Sequence, residues 1–241
     1  MATQADLIRK ARTEAIGDIA AVLSHEARNL LGALGTCVQI LRRNPHITGE
    51  DAELVDIIKT GSRRLSEIVS EFSAYGCPRS LHFQEVDLHE LIEETLVVLQ
   101  RDDRFSSSIF IRRQYDPSLH NIKADRDQLG QVFWNLFLNA VQAIGDQGQL
   151  WVETRRVGRE IEILVQDTGP GIPAAVLPNI FEPLYSTKSD GIGLGLAIVR
   201  RTVEELGGHI TVHSEHGTGT RFMMLLPVEP KDDPNQKPRK R

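Results

Sequence analysis

A histidine and two polar neighbours near the start of the chain could perform nucleophilic chemistry. Glu26 directly follows His25, and Asn29 lies one helical turn further on. A carboxylate that accepts a hydrogen bond from one imidazole nitrogen fixes the tautomer and leaves the other nitrogen free to attack. The Asn29 amide can hold a water beside a group bound to the ring. The segment fits a nucleophilic histidine with Glu26 as orienter and base, but an ordinary solvated helix surface also accounts for each residue.

A second polar group, more than a hundred residues later, suits a nucleotide and its cation. Asn135 and Asn139 are four residues apart on a predicted helix, so their amides share one face and offer neutral oxygens to Mg²⁺. Asp167 ends a predicted strand, where its carboxylate can accept a hydrogen bond from an adenine amino group. Gly169 and Gly171 beside it would admit the base to close approach. A polar helix face and an ordinary turn are the plainer explanations.

A further glycine box runs into a predicted helix over residues 194–206, so free backbone N–H groups would face phosphate. The residues of this box are Gly191, Gly193, Leu194 and Gly195. Between the two boxes, the segment FEPLYSTKSD predicts a mobile lid whose Lys188 reaches a phosphate. Glycine-rich helix starts also occur for steric reasons, so the order of the boxes carries more weight than any one of them.

Two apolar stripes with heptad spacing predict a helical hairpin in residues 6–78. The stripes are Ile16, Ala20, Leu23, Ala27, Leu30, Leu34, Cys37 and Leu41, then Leu54, Ile58, Gly61, Leu65, Ile68, Phe72 and Tyr75. The break at Asn44-Pro45 separates the helices, and Thr48 with Asp51 resembles a capping box. This register puts His25 at the exposed f position. Because two helices alone bury too little surface, we expect a homodimer with a four-helix bundle.

The rest of the chain predicts an α+β sandwich over residues 87–228, after a linker at 79–86 and before a disordered tail at 229–241. Asp87 and Asp125 are predicted to cap helices that end near Gln100 and Gly145. Residues 150–156 and 160–166 predict a β-hairpin that turns at Gly158, and residues 220–226 a further strand. Helices and strands alternate irregularly, which favours α+β over βαβ topology.

Composition narrows the class of protein. The 241 residues are 40% hydrophobic and 25% charged, with a net charge of −5, so nucleic acid and anionic membranes are not expected partners. Two cysteines indicate neither a disulfide framework nor a zinc site. The sequence lacks a signal peptide and a membrane span, so we expect a cytoplasmic chain or the cytoplasmic portion of a longer membrane sensor.

The segment HEARNLL resembles the phosphoacceptor box of two-component sensor histidine kinases, with Leu30 where that family usually has proline. The later boxes resemble the N, G1, F, G2 and G3 boxes of its Bergerat-type ATP-binding domain, a fold shared with Hsp90, MutL and gyrase B. Ile192 replaces the usual Thr or Ser of the second glycine box, and Gln142 replaces a residue that is often charged. The NAxQA pattern is similar to that of the NtrB-like subgroup.

This resemblance implies an ATP- and Mg²⁺-dependent protein-histidine kinase. Asn139 would ligate Mg²⁺ with Asn135 assisting, Asp167 would bind adenine, and Thr220 would belong to the last box. The phosphoryl group would pass from His25 to an aspartate on a response-regulator receiver domain, and Asn29 would assist dephosphorylation of that partner. Two alternatives are an ATPase of the same fold without histidine phosphorylation, and a receiver-binding scaffold or phosphatase with a degenerate ATP site.

Overall fold

The computed structural model describes residues 27, 29–44, 46–76, 81–119, 121–188 and 192–229. His25, Glu26, Gly191 and the predicted tail after Glu229 lie outside the described residues. The chain divides into two compact units, residues 1–79 and 80–241. None of the helices in the described ranges is long and apolar enough to cross a bilayer.

The described part of the first unit contains two helices. Residues 29–42 of helix α1 are described, and helix α2 covers Glu50–Gly76. The Gly49 carbonyl oxygen accepts hydrogen bonds from the Ala52 and Glu53 amides at 3.1 and 3.2 Å, so this glycine, rather than the predicted Thr48, is the residue directly before α2. Asp56 on α2 forms an ion pair with Arg42 on α1 at 3.4 Å. The predicted hairpin and its break around residue 45 therefore agree with the described helices.

The contact between the two helices differs from the predicted seam. Among the described residues of this unit, the buried ones, each 7% exposed or less, are Val38, Val55, Ser62 and Ser73. The predicted stripe stays exposed instead: Leu30, Leu34, Leu41, Leu54, Ile58 and Leu65 are between 41% and 72% exposed. Heptad spacing identified an apolar face on the hairpin, and the burial of that face in a four-helix bundle stays a prediction. The hairpin closes on smaller side chains, which let the helices approach, and the large aliphatic ones remain available to another chain.

Two helices of the second unit, α3 and α4, begin at aspartates whose carboxylates cap them. Asp87 accepts a hydrogen bond from the Glu90 amide at the start of α3 (Leu88–Gln100). Asp125 caps α4 (Arg126–Ile144) in the same way through the Gln128 amide, and Gly145 at φ +73° ends that helix. The predicted starts and ends of both helices are confirmed. They could be predicted because a capping aspartate and a terminal glycine act on backbone groups only a few residues away. Helix α5 covers Gly195–Glu205.

The strands form a mixed five-stranded sheet and a separate two-stranded one. The larger has the order β2-β4-β5-β7-β6, with β2 (Ser108–Gln114), β4 (Gln147–Val157), β5 (Glu160–Asp167), β6 (His209–Glu215) and β7 (Gly219–Pro227). Strand β2 is parallel to β4 and the other pairs are antiparallel. In the smaller sheet β1 (Gln84–Asp87) pairs with β3 (Asn121–Ala124). Strand β1 begins inside the segment predicted as a linker.

The core of this unit lies between one face of the larger sheet and the helices. On β5, Ile161, Ile163 and Val165 are buried in alternation with half-buried residues. Helix α4 contacts β4 and β5, and its Phe133 and Phe137 are fully buried with stacked rings 5.8 Å apart. The predicted α+β sandwich and the β4–β5 hairpin are confirmed. The polar end of α4 and the ends of β5 and β7 therefore lie on packed elements of this core.

Candidate nucleotide site

Asn135 and Asn139 lie on one side of α4, but their surroundings differ. Asn135 is 8% exposed, and its Nδ2 donates to the Gly195 carbonyl oxygen at 3.3 Å. This bond ties α4 to the first residue of α5. Asn139 is half-buried, one turn closer to the end of the helix. Asn135 thus positions the second glycine box, while Asn139 presents its amide where a ligand can reach it.

Asp167 is a buried carboxylate at the end of β5. It is 3% exposed, and its Oδ1 accepts a hydrogen bond from the Gly169 amide at 2.8 Å. Burial raises the pKa of Asp167 above its ordinary value, while the Gly169 and Thr220 amides and the Lys188 ammonium oppose that rise. A buried carboxylate is costly unless it is paired, so this acceptor suits a donor supplied by a ligand.

The loop after Asp167 is held too tightly for side chains larger than hydrogen. Gly171 has φ of +70°, and a Cβ there would lie 2.1 Å from the Glu215 carbonyl oxygen. A Cβ at Gly169 would lie 2.9 Å from the Ala143 backbone. These glycines are required because the loop passes directly against β6 and α4.

Ser214 on β6 is a residue of this site that sequence analysis missed. Its hydroxyl accepts a hydrogen bond from the Ile172 amide at 2.7 Å, donates to the Gly219 carbonyl at 2.9 Å, and lies 3.0 Å from the Thr220 hydroxyl. Thr220, from the last box, is 5% exposed. Ser214 therefore joins the loop after Asp167 to the start of β7. A lone serine in a strand gives no sequence signal for such a role.

The second glycine box forms a turn that leads directly into α5. Gly193 has φ of +76°, and a Cβ there would lie 2.3 Å from the Tyr185 carbonyl oxygen. Leu194, the residue before α5, is 1% exposed and so anchors the turn. A Cβ at Gly195 would make only ordinary contact with Asn135, at 3.8 Å. The amides of the first turn of α5 are not capped by the Leu194 side chain, which leaves them suited to an anion.

Lys188 brings the predicted lid to the amides of α4. Its ammonium donates to Asn139 Oδ1 at 3.2 Å and to Gln142 Oε1 at 2.6 Å. Burial of the ammonium lowers the pKa of Lys188, which the Asp167 carboxylate partly offsets. At the base of the lid, Phe181 packs edge-on against Phe222, with ring centroids 6.3 Å apart.

The residues present fit a purine nucleotide with a divalent cation. The buried Asp167 acceptor suits the adenine amino group, the glycine loop gives close approach to a flat ring, and Asn139 Oδ1 already faces a cationic group. The Lys188 ammonium bonds to the amide oxygens of Asn139 and Gln142 and is attracted by the Asp167 carboxylate. Asn135 instead donates a hydrogen bond to Gly195. The predicted roles of these residues stay predictions.

Comparison with known families agrees with this geometry. Residues 15–79 match the family described as His Kinase A (phospho-acceptor) domain. Residues 124–230 match the family described as histidine kinase-, DNA gyrase B- and HSP90-like ATPase.

Individual relatives cover nearly all of the chain. Sensor histidine kinase ZraS of Escherichia coli K12 is 38% identical over 225 residues, which are 93% of this chain and 48% of ZraS. Sensory histidine kinase/phosphatase NtrB of Rhodobacter capsulatus is 34% identical over 244 residues, covering 95% of this chain and 66% of NtrB. The crystal structure of histidine kinase ThkA in complex with response regulator protein TrrA has a TM-score of 0.66 at 28% identity, covering 93% of this chain and 65% of that one. The chain spans about half the length of the ZraS relatives that it matches.

Proposed function

Because the chain belongs to the sensor histidine kinases of two-component systems, we propose that it is the catalytic core of such a kinase. It binds ATP in the second unit, phosphorylates His25 in the first, and passes the phosphoryl group to an aspartate of a response regulator. The observation that carries this proposal is the buried Asp167 carboxylate close to Gly171, together with the Asn139 amide oxygen that faces the Lys188 ammonium.

Each residue has a distinct task in the proposed reaction. Asp167 accepts a hydrogen bond from the 6-amino group of adenine, a position at which guanine carries a carbonyl oxygen. The amides at the start of α5 face the phosphates, and Asn135 keeps that helix start in place through Gly195. One imidazole nitrogen of His25 attacks the γ-phosphorus, the bond from the γ-phosphorus to the β–γ bridging oxygen breaks, and ADP leaves. Glu26 accepts the hydrogen bond of the other ring nitrogen, which fixes the tautomer, and takes up the ring proton as base.

Asn139 is the side chain that would hold Mg²⁺, with Asn135 as the second candidate. A bound magnesium ion neutralises charge that develops on the transferred phosphoryl group. Neutral amide oxygens suit this role because they ligate the cation without repelling the phosphates. The structure holds Asn135 more deeply than Asn139, so we assign the direct contact to Asn139.

The exposed stripe of the first unit is proposed as the homodimer interface. Leu54, Ile58 and Leu65 on α2, with Leu30 and Leu34 on α1, form an aliphatic surface on the hairpin. Burying such a surface against a second copy would complete a four-helix bundle. The partner for phosphotransfer is a receiver domain, as the ThkA complex with a response regulator suggests. We place this chemistry in the cytoplasm.

Labelling with γ-³²P ATP and magnesium tests the proposal against its alternatives. We expect label on the protein that is acid-labile and alkali-stable, and that is absent from the His25→Gln variant. ATP hydrolysis without labelled protein would favour an ATPase of the same fold. Failure to bind nucleotide would favour a scaffold.

Dephosphorylation of the regulator is a second proposed activity. Asn29 is exposed on α1, and NtrB, one relative, is named a kinase and phosphatase. The Asn29 amide would hold water near the phosphorylated aspartate of the docked receiver. We expect Asn29→Ala to slow loss of phosphate from a phosphorylated receiver while His25 labelling continues. An unchanged rate of loss would exclude this role.

A further inference from the structure

Lys188 forms two hydrogen bonds with side chains on α4. Its Nζ lies 3.2 Å from Asn139 Oδ1 and 2.6 Å from Gln142 Oε1. These amides are three residues apart and so lie on the same face of the helix. The ammonium therefore bridges two neighbouring amide oxygens, one of which we assigned to Mg²⁺.

The backbone around Lys188 is shaped to deliver this ammonium. The Ser186 hydroxyl accepts a hydrogen bond from the Lys188 amide at 3.1 Å and donates to the Lys188 carbonyl at 3.2 Å. The Leu184 amide donates to the Gly193 carbonyl at 3.0 Å, which ties the segment to the second glycine box. The backbone on both sides of Lys188 is therefore held by hydrogen bonds, and the contact with α4 does not depend on the length of the lysine side chain alone.

An ammonium and a divalent cation cannot share the Asn139 oxygen at contact distance. Lys188 and Gln142 are exposed, and two positive charges within a few ångströms of one another repel even there. Lys188 must leave Asn139 before that oxygen can ligate Mg²⁺. Gln142 holds Lys188 at the shorter of the two distances, and its loss would release the ammonium without removing the metal ligand.

We propose that Lys188 and Gln142 form a latch over the metal position, in which the lysine ammonium occupies Asn139 until magnesium with nucleotide displaces it. The Asn139 assignment rests on the proposed function, but the latch contact itself does not. Gln142 is then a positioning residue that sets how strongly magnesium promotes nucleotide binding. Its effect is inhibitory, which is unusual for a polar residue beside a ligand site.

The affinity of ADP with and without magnesium tests the latch by a double-mutant cycle. We expect Gln142→Ala to tighten ADP binding by up to about tenfold in magnesium, because a hydrogen bond to a charged group is lost only from the competing state. Binding in EDTA should not change. In a Lys188→Met background, Gln142→Ala should have no effect on either affinity. Weaker binding, or the same change in both backgrounds, would overturn the latch.

A second measurement examines the latch in the absence of nucleotide. Brief acetylation with a limiting amount of reagent, followed by mass spectrometry, reports how available Lys188 is relative to Lys59. We expect Gln142→Ala to raise acetylation of Lys188 several-fold, and Gln131→Ala, the same substitution elsewhere on α4, to leave it unchanged. Equal acetylation in all three proteins would refute the latch.

The two measurements separate the latch from the proposed function. If Gln142→Ala raises acetylation of Lys188 but the protein binds no ADP, the result would support the Lys188–Gln142 contact and contradict the nucleotide site. Normal ADP binding with unchanged acetylation would reject the latch and retain the site.

Discussion

Replacing Asp167 by asparagine is expected to weaken nucleotide binding and to stabilise the fold at the same time. The carboxylate is 3% exposed and accepts the Gly169 amide at 2.8 Å. Asparagine has nearly the same shape and can keep that bond through its oxygen. Its NH₂ group, however, would face the adenine amino group, donor against donor. A lost hydrogen bond to a charged group costs about 1.5–3 kcal/mol, which corresponds to a roughly 10- to 150-fold weaker Kd for ATP or ADP.

The stability change has the opposite sign because burial raises the pKa of Asp167. A carboxyl whose pKa is higher in the folded than in the unfolded state opposes folding above that pKa, since the folded state disfavours its ionised form. Asp167→Asn removes this cost. The gain should therefore be present near neutral pH and should disappear as the pH falls through the raised pKa.

Calorimetric titration with ADP and thermal unfolding at neutral pH measure the two effects. The matched control is Asp116→Asn, since hydrogen bonds from the Arg156 amide and from Ser118 lower the pKa of Asp116 to about 2. This control should destabilise the protein slightly and leave ADP binding unchanged. An Asp167→Asn protein that binds ADP normally would refute the assignment of Asp167 as the adenine acceptor. A variant that melts at a lower temperature than wild type would instead refute the stability gain expected from removing the buried charge.

Three further predictions concern the pH dependence, the glycine loop and the hairpin. Since the pKa of Asp116 is lowered from 3.8 to about 2, the stability that its carboxylate contributes is complete above about pH 4 and is lost towards pH 2. The difference in urea midpoint between wild type and Asp116→Asn should therefore vanish over that range. A constant difference would contradict the lowered pKa. Gly171→Ala should lower Tm by more than Gly158→Ala. Both glycines have positive φ, which costs an alanine about 1–2 kcal/mol, but only at Gly171 would the new Cβ also lie 2.1 Å from a carbonyl oxygen. Equal losses of Tm would contradict the close approach of the loop after Asp167. Leu65→Asp should convert the dimer to a monomer, as measured by light scattering. The control is Phe110→Asp, since Phe110 is an apolar residue of the other unit that is 69% exposed, and this variant should remain a dimer. If both variants are dimers, the exposed stripe is not the interface.

The parts of the fold that sequence predicted are those with local signals. Asp87 and Asp125 cap the helices that follow them, and Gly145 ends α4, because each acts on backbone groups within a few residues. The β4–β5 hairpin was equally readable, since its turn at Gly158 joins strands that are adjacent in sequence. The strands β1, β2, β3 and β6 were not predicted. Strand β1 pairs with a strand more than thirty residues away, and β2 lies parallel to β4 across the whole of α4.

The hairpin shows a different limit of pattern reasoning. Periodicity finds which residues share a face, but it does not state whether that face meets the same chain or another. The large aliphatic residues gave the stronger pattern, and the helices instead close on Val38, Val55 and Ser62. In the site, the boxes indicated the chemistry of Asp167 and Asn139. The contact of Lys188 with Gln142, 46 residues apart, depends on the folded path of the lid and has no sequence signal.

The most direct test of the central claim is the position of the phosphoryl group after reaction with ATP. Mass spectrometry under alkaline conditions, which preserve phosphohistidine, should find it on His25 in the wild-type protein and nowhere in an Asn139→Ala protein that cannot hold the metal. Phosphate on another residue, such as His46 or His213, or phosphorylation of His25 that persists without Asn139, would contradict the account.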